Sequence, residues 1–161
     1  MEEEKDIRLR FMKRAAQLAH YAAENGYGGP FGAVVVKDGE IIGEGFNRVT
    51  SSNDPTAHAE IEAIRSACNT LKSFQLSGCE IYSSCEPCPM CMGAIYWARP
   101  VRLYYGASRY DAAQAGFDDE FIYRELALPD HLRKIQVIHL PSTDSADAFE
   151  YWKLLENKTK Y

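Results

Sequence analysis

The sequence predicts an α/β fold, a mixed sheet of about five strands with helices on both faces. Three observations lead there. A tight-turn signal, Asp38-Gly39, divides two β-rich runs near the start. Helix-period and strand-period segments then alternate to the end of the chain. The 161 residues favour one domain, residues 1–161, and 46% hydrophobic with 25% charged residues is the mix of a globular core with a solvated surface.

The first element is a helix over Asp6 to Asn25, with Ile7, Phe11, Ala15, Leu18 and Ala22 at helical spacing, Asp6 as cap and Gly26 as stop. Strands over Ala33–Val36 and Glu40–Gly45 form the hairpin. "NDPTAHAEIEAIRSAC" predicts a second helix, capped by Asp54, with Pro55 at its first position and Ile61, Ile64 and Cys68 turned inward. "CEIYSS" is a strand, "PCPMCMGAIYWA" a helix ended by Pro100, and "VRLYYGAS" the next strand. Between Tyr110 and Pro129 a short helix is expected around Asp119 to Glu125. "KIQVIHL" supplies the fifth strand and "SADAFEYWKLLENK" the last helix.

Charge and cysteine usage narrow the function classes. A net charge of −5 weighs against a broad nucleic-acid surface, which needs concentrated Lys and Arg. The acidic start "MEEEKDIRLR" does not lead into an apolar run, and no apolar segment is long enough to cross a bilayer. The expected location is the cytosol. There, five cysteines do not predict a disulfide framework; cysteines at CxxC spacing bind metal or do redox chemistry.

"SSCEPCPMC" carries three cysteines at equal steps, Cys85, Cys88 and Cys91. A catalytic zinc takes three protein ligands and keeps a fourth position for water. His58 in "HAE" and two of these thiolates suit it, and H-x-E followed by P-C-x-x-C marks the zinc deaminases. Only Cys88 follows a proline. With Pro89 at the first helical position, Cys88 becomes the N-cap and Cys91 the third residue of the first turn, where free N–H groups and the helix dipole favour thiolate. Cys88 and Cys91 are therefore the expected ligands and Cys85 a packing residue. Glu60, two positions from His58, is the expected proton shuttle for the attacking water, a ring nitrogen and the leaving amine. A closed structural zinc site with Cys85 as fourth ligand, and a redox CxxC, are the alternative readings of the cysteines.

"GGPFGAVVVKDG", "SNDPTAHAEIEAIR", "SSCEPCPMCMGAIYWARP" and "AGFDDEFIY" together resemble the bacterial guanine deaminases of the cytidine deaminase superfamily. The resemblance implies a three-layer α/β/α sandwich and a homodimer whose C-terminal segments are exchanged. It implies hydrolysis of guanine to xanthine and ammonia by a zinc-activated water. By position, His58, Cys88 and Cys91 match the zinc ligands and Glu60 the shuttle; Asn47, Asp119 and Tyr161 match substrate-contacting residues, with Phe31 and Trp97 as pocket walls. A carboxylate such as Asp119 suits the adjacent N1–H and C2-amine donors of guanine, and the Ala59 N–H is a further candidate to face the ring. Asn47 also suits a turn, and Asp119 a helix cap. Guanosine, cytosine and tRNA adenosine deaminases share much of the motif set, and a non-catalytic zinc protein is the alternative of a different class.

Overall fold

Asp38 and Gly39 both adopt positive φ, 50° and 81°, the backbone of a tight hairpin turn. In this computed structural model, which describes residues 2–161, the turn joins β1 (Gly32–Lys37) to β2 (Glu40–Phe46) in antiparallel register. β3 (Glu80–Cys85) pairs antiparallel with β1, and β4 (Arg102–Ala107) runs parallel to β3. The sheet order is β2-β1-β3-β4.

Helices cover both faces. α1 (Glu2–Glu24) lays Phe11 and Leu18 against Val34, Val36 and Tyr82. After the single turn α2 (Val49–Ser52), α3 (Ala59–Leu71) and α4 (Pro89–Ala98) cover the opposite face. There Ala59, Ala63, Ala67, Ile95 and Ala98 pack with Ala33, Val35 and Ile81. α5 (Arg109–Gln114) starts in a capping box, with Asp111 N–H donating to Ser108 and the Asp111 carboxylate accepting from the Ser108 N–H.

The chain divides into two compact units, one ending at Asp119 and one spanning Glu120–Tyr161. The second contains α6 (Glu120–Ala127), a 3₁₀ turn at Asp130–Leu132, and α7 (Thr143–Leu154). Arg133 ties the end of α6 to that turn, donating to the carbonyls of Glu125 and Leu128 and pairing with Asp130 at 2.9 Å. Among the described residues no helix is long and apolar enough to cross a membrane.

Four expectations are corrected. Among the described residues the sheet has four strands, not five, and Lys134 to Leu140 joins no ladder. A strand needs a backbone partner as well as a pattern, and Ile135 and Leu140 stand 80% and 81% exposed. The first helix already runs through Asp6, which therefore does not cap it. The second long helix starts at Ala59, because Asp54 spends its carboxylate on a local turn, accepting from the N–H and hydroxyl of Thr56 at 2.8 and 2.7 Å. Its deepest stripe is Ala59, Ala63 and Ala67, with the larger Ile64 and Cys68 at the margin of the core.

Small residues occupy that stripe because α3 lies almost on the backbone of β2. A Cβ at Gly45 would fall 2.2 Å from the Ala59 carbonyl oxygen and 2.4 Å from the Ala63 nitrogen. Gly45→Ala is therefore expected to destabilise the protein by about 1–3 kcal/mol, which lowers Tm by roughly 2–4 °C per kcal/mol in a chain of this size. Thermal unfolding measures it; an unchanged Tm would show that α3 does not need the close approach.

Candidate active site

Two helix starts build the site. His58 is the N-cap of α3, extended at φ −74° and ψ 155°, and Cys88 the N-cap of α4 at φ −67° and ψ 169°, with Pro89 at the first helical position. Neither side chain caps its own helix. They face each other instead. Nδ1 of His58 lies 3.5 Å from Sγ of Cys88 and 3.5 Å from Sγ of Cys91. Among the described residues, His58, Cys88 and Cys91 form the one group of His, Cys, Asp or Glu side chains able to hold a metal ion.

These distances fit zinc. With Zn–S near 2.3 Å and Zn–N near 2.0–2.1 Å, a tetrahedral ion sets nitrogen and sulfur about 3.5 Å apart. The hydrogen bond from Cys91, together with His58, holds the Cys88 thiol down at about 4, whereas that same bond and burial push Cys91 well up. The pair thus keeps one thiolate, and the neighbouring Cys88 raises the pKa of His58.

Cys85 stands apart. It is buried, directs Sγ to the Ser108 carbonyl at 3.6 Å, and burial raises its pKa to about 11. Its sulfur is thus turned to a backbone carbonyl and lies outside the His58, Cys88 and Cys91 group.

Glu60 sits in the first turn of α3, only 6% exposed. Its Oε2 lies 3.4 Å from the Cys91 sulfur and its Oε1 accepts from the Ser83 hydroxyl at 3.1 Å. Desolvation raises its pKa. The Ala59 N–H, in the first turn of the same helix, is a donor that the helix itself does not use. Asp119, just before α6, is half-buried; burial and then the charge of Cys88 raise its pKa.

Asn47 is buried at the end of β2, where its Oδ1 accepts from the N–H groups of Gly29 and Val49, each at 3.2 Å. The oxygen therefore shapes the turn, as the turn reading of Asn47 expects. Gly28 passes so close that a Cβ there would fall 2.1 Å from that Oδ1. Phe31 packs edge-to-face on Phe117 with centroids 5.0 Å apart. Both rings line an apolar cleft of about 290 Å³ beside α1, which His58, Glu60 and Cys88 do not line. Trp97, on α4, is 64% exposed, and Tyr161, at the end of the second unit, is 71% exposed. The cluster proper is thus His58, Glu60, Cys88 and Cys91. Ser83 is the residue that pattern reading missed; its signal was a hydroxyl at an inward position of β3.

Residues 5–107 match the family described as the cytidine and deoxycytidylate deaminase zinc-binding region. Guanine deaminase of Bacillus subtilis is 55% identical over 151 residues, covering 94% of this chain and 97% of that protein. Its X-ray structure superposes with a TM-score of 0.92, again over 94% of this chain and 97% of the other. The tRNA-specific adenosine deaminase of Buchnera aphidicola is 46% identical over 107 residues, 66% of this chain and 70% of that protein. A guanine deaminase structure from Nitrosomonas europaea is 34% identical with a TM-score of 0.65, covering 68% of this chain and 63% of that one. With the matched region containing His58, Glu60, Cys88 and Cys91 in the geometry described, the chain belongs to the cytidine and deoxycytidylate deaminase family.

Proposed function

We propose that this protein is a zinc-dependent guanine deaminase that hydrolyses guanine to xanthine and ammonia. The observation that carries the choice of guanine is a second carboxylate, Asp119, whose pKa is raised by burial and then by the charge of Cys88. Guanine offers N1–H and the C2 amine as adjacent donors to such an acceptor, and adenine lacks that pair. The reach of the likeness supports it: the Bacillus subtilis guanine deaminase matches 94% of the chain, the Buchnera tRNA deaminase 66%.

His58, Cys88 and Cys91 hold the zinc. When bound, the ion supplies a Lewis acid that lowers the pKa of a water at its open position. Oε2 of Glu60 takes one proton as the water oxygen attacks C2 and passes it to the ring nitrogen N3; it then takes the proton left on the new C2 hydroxyl and delivers it to the exocyclic amine as the bond between C2 and that amine breaks and the C2 carbonyl of xanthine forms. Asp119 holds N1–H and the amine and shares the path of protons to the departing ammonia. Asn47 donates from Nδ2 to a purine acceptor, and the Ala59 N–H faces the ring.

The working unit is a homodimer in the cytoplasm, acting on a small purine and not on a nucleic acid or a membrane. Two features support the dimer. β4 is the edge of the sheet, with Tyr105 exposed, and Lys134 to Leu140 is an apolar run without a ladder partner in its own chain. An unpaired edge and an unpaired segment complete each other across a second copy. In this exchange Tyr161 closes the pocket of the partner subunit, excluding water from the substrate.

An ammonia-release assay with guanine, guanosine, adenine, cytosine and cytidine tests the function directly; guanine is expected to be the preferred substrate. Glu60→Gln should keep zinc and lose about 10²–10⁴ in kcat, and Asp119→Asn should lose guanine turnover with zinc content and Tm retained. Equal losses of Tm and activity in Asp119→Asn would mark that residue as a structural cap.

For the metal, Cys88→Ala and Cys91→Ala are each expected to lose zinc as measured by elemental analysis, and Cys85→Ala to keep it. Zinc loss from Cys85→Ala would overturn the ligand assignment.

The tail is tested by complementation. Glu60→Gln and a chain lacking Lys160 and Tyr161 are mixed under conditions that exchange subunits. Recovery of activity is expected, from one site with an intact Glu60 and an intact partner tail. No recovery despite proven exchange would refute action in trans.

A further inference from the structure

We propose that Ser83 is a positioning residue for Glu60, holding one carboxylate oxygen so that the other is the one that moves protons; this rests on the deaminase reading above. Ser83 lies in the middle of β3 and is 2% exposed. Its β1 neighbour in register is Ala33, and the surrounding sheet face is apolar: Ala33, Val35, Ile81, Ala59 and Ala63. A hydroxyl in such a place is unfavourable unless it is hydrogen-bonded. Among the described residues its side-chain partner is Oε1 of Glu60 at 3.1 Å, a contact buried on both sides.

Glutamate has three side-chain torsions, and the last is broad. Burial alone does not select the rotation of its carboxylate. Two contacts do so here. Ser83 occupies Oε1, and Oε2 then faces the Cys91 sulfur at 3.4 Å, on the side where His58 and the two cysteines converge. Oε2 is the oxygen left to exchange protons with water and substrate. The serine is carried by a strand paired on both sides, by β1 and β4, so its hydroxyl is a fixed point of the scaffold. Reacting groups held in this way need little reorganisation at the moment of transfer, and small misplacements are expensive in rate.

The test compares native enzyme, Ser83→Ala, Glu60→Gln and the double variant, all loaded with zinc. Ser83→Ala is expected to lower kcat for guanine about tenfold, with KM and zinc content close to native and Tm lowered, because a buried carboxylate oxygen loses its partner. In the Glu60→Gln background the same change should produce no further loss, because Ser83 acts only through that carboxylate. Crystal structures of native protein and Ser83→Ala should show the Glu60 carboxylate turned away from Cys91 in the variant. A native-like kcat, an additional loss in the double variant, or an unmoved carboxylate would overturn the proposal. If the native protein releases no ammonia from guanine, the guanine reading fails, while the crystal comparison still decides the role of Ser83.

Discussion

The site depends on one packing constraint, the contact of α3 with the backbone of β2. Gly43 and Gly45 leave no side chain between them, and Ala59, Ala63 and Ala67 present the thinnest possible helix face. The helix start is thereby set against the sheet, and His58 and Glu60 with it. α4 begins immediately after β3, so Cys88 and Cys91 arrive from the adjoining element. Two helix N-termini then converge, each with a side chain that turns away from capping its own helix. That arrangement forgoes about 1 kcal/mol of capping at each end. In return it brings one imidazole nitrogen and two sulfurs within 4.8 Å of one another.

Burial gives this cluster its electrostatic character. A glutamate that is 6% exposed is costly in an apolar core, and its pKa rises accordingly. The cost is offset by the Ser83 hydroxyl and the Cys91 sulfur, one for each oxygen. Cys88 responds in the opposite sense, because Cys91 and His58 both favour its charged form. Neighbouring groups pushed apart in proton affinity are a mark of sites that move protons.

Apolar side chains after Asp119 behave differently from those before it. The first unit buries an aliphatic core on both faces of its sheet. In the second unit Ile138, Phe149, Tyr151 and Leu154 remain exposed. α7 accordingly has apolar residues without a buried face. The segment has the chemistry of an interface, and the homodimer proposed above is one that would cover it.

The sequence by itself determined most of the elements and pointed to the His58, Cys88 and Cys91 group that could hold a metal, because both are local. A dipeptide such as Asp38-Gly39 contains its own backbone preference, and the spacing of His58 from Glu60, or of Cys88 from Cys91 across Pro89, is a property of one helical turn. Only the tertiary structure decided the rest. The sequence pattern placed a helix start at Asp54, whereas the carboxylate was consumed by Thr56 and the helix began four residues beyond the proline, at Ala59. Period-two apolarity at Lys134–Leu140 announced a strand, but a ladder is a relation between two backbones, and this chain supplies one. The spare cysteine and the missed serine have the same origin. Whether Cys85 meets a carbonyl or a metal, and whether the Ser83 hydroxyl meets a carboxylate 23 residues away, depends on which strand face lies under which helix. No local pattern carries that information, since it exists only once α3 has been pressed onto the sheet.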